Sequence, residues 1–191
     1  MSSKSIQVFG GNGYIGSAWR KHASISRIIN TDRTDYKVRE ETDEILYFTS
    51  TVSNYNIFTD PYIDINTNLI DLMYVLSQCK DRDIPFTFIS SWFVYGDTDL
   101  PAREESYCNP KGFYSITKRT AEQLIISYCE TFNIPYRILR LANVVGGVDS
   151  KASKQKNALQ HLLTRIRNNE DIQLYDVGNI IRDYIHIYDV S

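Results

Sequence analysis

Short apolar runs alternate along this chain with longer stretches in which apolar residues recur every three or four positions. The runs at Ser5–Phe9, 25–30, 45–48, 86–89 and Tyr136–Leu141 have the length and character of strands. Helical spacing marks Tyr14–His22, 64–79 and 112–131. In 64–79 the apolar positions are Ile65, Leu69, Leu72, Met73 and Leu76; in 112–131 the expected inward stripe is Ile116, Ala121, Leu124, Ile125 and Tyr128. A further helix is expected over Ala158–Arg167, and short strands over 172–174 and 184–187. Such alternation predicts an α/β fold, a doubly wound and mostly parallel sheet with helices on its faces. The most loop-like stretch, 146–157, is rich in Gly, Asp, Ser and Lys. It divides a core, residues 1–146, from a small C-terminal lobe, residues 147–191.

Composition narrows the class. The chain has 191 residues, 42% of them hydrophobic, which suffices for one globular core and excludes a disordered chain. No stretch reaches the roughly 18–20 apolar residues of a membrane span, and the N-terminus lacks an apolar leader, so a cytoplasmic protein without a membrane partner is expected. A net charge of -2 argues against nucleic acid as a partner. Cys79, Cys108 and Cys129 lack metal-ligand spacing, and His22, His161 and His186 stand apart from acids and cysteines. No metal site is expected, and all three histidines read as surface or packing residues.

The strongest local signal follows the first strand. Residues 10–16 read Gly-Gly-Asn-Gly-Tyr-Ile-Gly. Gly10 allows a tight turn, Gly13 lets backbone approach a pyrophosphate, and Gly16 lets the following helix pack closely. The N–H groups and positive end of that helix would face the phosphates. Asp32 ends the second strand region, where a carboxylate can accept both hydroxyls of an adenosine ribose. It would repel a 2′-phosphate, so NAD is favoured over NADP; Arg33 beside it keeps NADP open.

A second constellation lies further on. Tyr114 and Lys118 are four residues apart near the start of a helix and share a face. An ammonium beside a phenol lowers the phenol's pKa, as would the cationic ring of an oxidised nicotinamide, making a base able to take a proton from an alcohol. Ser91 follows the strand at 86–89, where ligands bind in such sheets, and its hydroxyl can donate to the reacting oxygen.

With these residues the sequence resembles an extended short-chain dehydrogenase/reductase of the NAD-dependent epimerase/dehydratase family, which modifies nucleotide sugars. The resemblance covers nearly the whole chain. It implies a Rossmann-type domain with Tyr14 and Ile15 completing the glycine motif. Phe48, Thr49 and Ser50 would end a strand beside the cofactor. Asn66, after Asp60-Pro61, matches the family's helix Asn. Ser90 and Ser91 precede the Tyr95-Gly96 pair of the serine strand, with Ser91 as its catalytic serine. Arg140-Leu-Ala-Asn-Val-Val-Gly resembles a family segment in which Asn143 touches substrate while Leu141, Ala142 and Val144 border the nicotinamide. Arg182, in an Arg-Asp-x-x-His signature, would lie near the nucleotide sugar.

Three departures stand out. Only about a dozen residues separate Asp32 from Ile45, where the family usually fits another helix and strand. Trp92 and Phe93 follow Ser91 where 4,6-dehydratases carry an acidic pair. The family's substrate lobe extends well beyond residue 191. The leading expectation is an NAD-dependent nucleotide-sugar epimerase working through a keto intermediate. The rivals are a 4-keto nucleotide-sugar reductase and a non-catalytic NAD-binding subunit. A homodimer is expected from the family's pairing of the helices at 64–79 and 112–131. Lys151, Lys154, Lys156, Arg165 and Arg167 read equally as a solvated face or a diphosphate clamp. Trp92 and Phe93 read as packing or as a wall near the sugar.

Overall fold

The computed structural model describes residues 4–25, 27–147, 157–174, 178–179 and 181–190. Five parallel strands form the main sheet: β1 (Ser5–Phe9), β2 (Arg27–Asn30), β3 (Glu44–Tyr47), β4 (Phe86–Ser91) and β5 (Tyr136–Leu141), in the order β2-β1-β3-β4-β5. Chain direction across the sheet reverses beside β1, so the loops after β1 and β3 part and leave a crevice at their carboxyl ends. Helix α1 (Tyr14–His22) links β1 to β2. The predicted helix at 64–79 is three joined pieces: α2 (Tyr62–Ile65), a π-helical turn (Asn66–Ile70) and α3 (Asp71–Ser77). Helix α4 (Phe113–Phe132) crosses from β4 to β5 and is closed by Asn133 in the left-handed conformation.

Two apolar layers hold the sheet. On one face Phe9, Ile45, Tyr47, Phe86 and Phe88 pack on Leu72, Val75 and Leu76 of α3 and on Ala121, Ile125 and Cys129 of α4. On the other, Ile6, Val8, Leu46 and Ile89 pack with Trp19 of α1, Phe48 and Leu141. No described helix is long and apolar enough to cross a membrane.

The short connection between β2 and β3 is organised by Gln7, fully buried in β1. Its amide nitrogen donates to the Lys37 carbonyl (2.8 Å), and its oxygen accepts from the Arg39 backbone N–H (2.8 Å) and the Thr42 hydroxyl (2.7 Å). A strand-borne amide thus satisfies backbone that a further helix and strand would otherwise satisfy, and β2 is the sheet's edge.

Two expectations need correction. The inward face of α4 is only part of the expected apolar stripe: Ala121, Ile125 and Tyr128 pack into the core, but Ile116 and Leu124 are exposed, and Tyr114, Ser115, Thr117, Lys118 and Glu122 are buried. Apolar periodicity misses polar side chains whose partners lie inside. Residues 172–174 form no strand. Instead a strand unforeseen in the sequence, β6 (Asn143–Val145), pairs in parallel with β7 (Tyr184–His186) as a separate two-stranded sheet. Most of the stretch at 146–157 lies outside the described residues. Helix α5 (Ala158–Arg167) is as expected.

Removing buried bulk from α4 should cost far more than removing exposed bulk. Ile125→Ala is expected to lose about 2–5 kcal/mol and Ile116→Ala under about 0.5 kcal/mol, read by urea unfolding of dilute protein.

Candidate active site

The carboxyl ends of β1, β3, β4 and β5 bring most of the sequence-selected residues to one edge of the sheet. After β1, Gly10 has φ +77, and a Cβ there would lie 2.7 Å from the Thr49 nitrogen. A Cβ on Gly16 would lie 2.5 Å from the Gly10 carbonyl oxygen, so α1 sits against its own entry loop. Gly13 is exposed, its N–H closing the loop onto the Gly10 carbonyl at 3.0 Å. Arg20 ties the loop from behind, donating to the Gly11 carbonyl and the Asn12 side chain. The first turn of α1 carries no acid. A helix N-terminus opened by glycines and free of carboxylates suits a pyrophosphate, so these residues fit NAD. Tyr14 reaches across to the Gly146 carbonyl. Asp32 and Arg33 are exposed just beyond β2.

Tyr114 lies in the first turn of α4 and is 8% exposed. Burial raises its pKa to about 12, against the lowering pull of hydrogen bonding with the Ser91 and Ser50 hydroxyls. The expected lowering by Lys118 is overturned. Lys118 shares the helix face, but its ammonium points to β4, donating to the Ile89 carbonyl at 2.7 Å and lying 4.0 Å above the Phe88 ring. Burial lowers the Lys118 pKa to about 7, with Glu122 opposing. Spacing made the two residues neighbours; the strand beneath took the lysine.

Two polar networks under the site were not foreseen. Glu122, fully buried one turn beyond Lys118, accepts from Ser90 (2.6 Å), from Arg140 at both oxygens (3.0 and 2.9 Å) and from Arg119 (2.7 Å). Burial pushes its carboxyl up, yet the bonds from Arg140, Ser90 and Arg119 outweigh it and hold the pKa below the ordinary range. Asn68, buried in the π-turn, accepts from Ser50 (3.0 Å) and the Thr51 N–H (2.9 Å) and donates to Thr117 (2.9 Å). Asn66, matched by resemblance, is exposed two residues earlier. An inward polar residue on a helix of apolar period was the available signal for both networks.

The remaining selected residues are less uniform. Phe48 and Thr49 flank Gly10, and Leu141, Ala142 and Val144 are half-buried at the end of β5 and in β6. The Asn143 side chain donates to the Asp183 carbonyl at 2.9 Å, so it joins β6 to the segment before β7. Arg182 is exposed, its guanidinium 5.7 Å from the Trp92 ring centre. His22 packs on Tyr188 and His186 lies against Gly146 and Tyr188. Lys151, Lys154 and Lys156 lie outside the described residues; Arg165 pairs with Glu170 at 3.2 Å. Helix α5 and residues 171–174 line a separate open pocket of about 280 Å³. Among the described residues no group of three His, Cys, Asp or Glu could hold a metal ion.

A doubly wound parallel sheet with a glycine turn at its carboxyl edge is the frame of a dinucleotide-binding protein, and the buried Tyr114 with half-buried Ser91 on that edge is in keeping with the short-chain dehydrogenase type that the sequence resembles. A model of the NAD dependent epimerase/dehydratase family matches residues 6–191, and the chain belongs to that family. It is 26% identical over 171 residues to a dTDP-glucose 4,6-dehydratase of Mycolicibacterium smegmatis, covering 85% of this chain and 50% of that protein. The chain thus spans about half the length of such relatives. The fold matches UDP-N-acetylglucosamine 4-epimerase from Methanobrevibacter ruminantium, in complex with UDP-N-acetylmuramic acid. The TM-score is 0.86 at 21% identity, over 100% of this chain and 71% of that one. UDP-glucose 4-epimerase from Thermus thermophilus, complexed with NAD, gives 0.80 at 19%, over 97% and 71%.

Lys118 makes folding pH-dependent. Its folded pKa lies near 7 against 10.5 ordinarily, so between those values the unfolded chain holds the proton that the folded chain has released, and stability rises with pH. Lys118→Met is expected to raise the thermal midpoint below about pH 7 and to flatten the rise above it. Parallel pH profiles of the two proteins would refute the buried amine.

Proposed function

We propose that this chain is the cofactor-binding and catalytic part of an NAD-dependent nucleotide-sugar epimerase. Residues 1–146 carry the cofactor and the catalytic group; residues 147–191 begin the substrate lobe. The observation that carries the reading is the buried Tyr114 phenol, drawn toward lower pKa by the Ser91 hydroxyl, on the same carboxyl edge of the sheet as the glycine turn. When bound, NAD supplies the hydride acceptor and donor. The chain supplies the proton chemistry. Ser91 donates to the oxygen on the reacting sugar carbon, and Tyr114 takes the proton of that hydroxyl as the carbon becomes a ketone. Tyr114 returns the proton when the carbon is reduced from its other face. Lys118 holds the strand end through the Ile89 carbonyl. Trp92 and Phe93 carry no acid or base, which argues against elimination of water, the reaction named for the dehydratase relatives.

A 4-keto nucleotide-sugar reductase is the second reading, favoured by one observation. Burial keeps Tyr114 protonated, which suits a proton donor to a ketone. Net consumption of reduced cofactor with a keto-sugar would select it, since an epimerase recycles its cofactor. The ordered Ser91–Tyr114 pair argues against a purely structural subunit. Ile116 and Leu124 of α4 and Ile70 and Tyr74 of the 66–77 helical segment are exposed, which leaves apolar residues on both helices for a second copy, in keeping with the family's helix pairing. All three cysteines are free thiols, which suits the reducing cytoplasm where we place the protein.

Tyr114→Phe is expected to lower turnover of UDP- or dTDP-hexoses by about 10²–10⁴-fold while NAD affinity, measured by calorimetry, stays within about twofold. Turnover retained in that variant would reject the mechanism.

A further inference from the structure

The strand end that carries Ser91 runs straight into a one-turn 3-10 helix, Trp92–Val94. Ser91 caps this turn, accepting from the Phe93 N–H at 3.3 Å, so two aromatic rings hang from the residue that presents the hydroxyl. Trp92 and Phe93 stack with centres 4.4 Å apart and planes at 28°. Phe93 meets Tyr114 edge-on at 6.0 Å and 82°. At the other end the Arg182 guanidinium lies 5.7 Å from the Trp92 ring centre.

Packing alone does not account for these rings. Phe93 is 38% exposed, Trp92 is half-buried, and neither belongs to the two apolar layers. They make a carbon surface open to water beside a reactive phenol. Read along the surface, the order is phenol, two rings, cation. A hexose linked to a diphosphate has the matching order: a reacting carbon, a ring with a C–H face, an anion. Such a C–H face loses water favourably against an aromatic ring, and a guanidinium suits phosphate.

We propose that Trp92 and Phe93 form the wall against which the hexopyranosyl group packs by its C–H face, and that they set affinity for the sugar and not for the nucleotide. This rests on the epimerase reading above and adds the mode of sugar recognition. Because the wall offers no acid, it holds the ring in place without assisting loss of a hydroxyl.

The test is calorimetry on the full chain with saturating NAD. UDP-glucose and dTDP-glucose serve as probes, and UDP and dTDP as sugar-free controls. Trp92→Leu should weaken both nucleotide sugars roughly three- to tenfold and leave the free nucleotides within about twofold, and Trp92→Phe, which keeps a ring, should recover most of the loss. Equal weakening of sugars and free nucleotides, or none, overturns the wall. A second measurement leaves the wall intact. In Trp19→Phe, Trp92 is the sole tryptophan, and its emission should shift with the nucleotide sugars but not with UDP or dTDP. The same response to both overturns the proposal. A chain that binds no NAD overturns the epimerase reading and the wall with it. NAD and sugar binding indifferent to Trp92→Leu overturns the wall alone.

Discussion

A carboxylate with no access to water sits beneath this site, and the site's geometry depends on how it is paired. An isolated buried charge costs several kcal/mol, so Glu122 must be held by partners or give up its charge. Arg140 grips it at both oxygens, Arg119 and Ser90 complete the set, and Arg140 also reaches the Glu104 carbonyl and lies over the Tyr95 ring. One ion pair thereby fastens α4, β4, β5 and the 95–105 segment to each other. Ser91 follows Ser90 and Lys118 lies one turn before Glu122, so both are aimed by this contact. Replacing one partner alone leaves the other charge buried and unmatched, which is why such a cluster specifies one arrangement even where its net contribution to stability is small.

The crevice itself comes from topology. Parallel strands joined by crossovers leave their carboxyl ends on one side, and the reversal of order beside β1 parts the loops there. Gly10 and Gly16 convert that gap into a close-fitting turn because neither position tolerates a Cβ. Economy elsewhere does not disturb it. Gln7 satisfies the short 31–43 connection from inside β1, so the edge of the sheet is trimmed without exposing unpaired backbone.

Chemistry at α4 shows how environment outweighs spacing. Tyr114 and Lys118 stand where a helical repeat puts them, yet burial drives their acidities in opposite senses to the simple pair: the phenol holds its proton more tightly and the amine more loosely. Desolvation always penalises the charged form, and here it exceeds the effect of nearby dipoles. The phenol is therefore tuned by Ser91 and Ser50, which come from two other strands' ends.

The order of elements, the glycine turn, and the meeting of Ser91, Tyr114 and Lys118 at one edge are legible in the residues alone, because each rests on local rules: strand and helix periods, glycine's freedom at positive φ, and the carboxyl-edge habit of parallel sheets. The tertiary structure alone decided which polar residues of α4 face inward, that Asn68 and not Asn66 braces Ser50, that β6 pairs with β7, and that Lys118 bonds the Ile89 carbonyl instead of the phenol. The reason is physical. A buried polar side chain is stable only where a partner from a distant part of the chain meets it, and no local pattern of residues records that meeting.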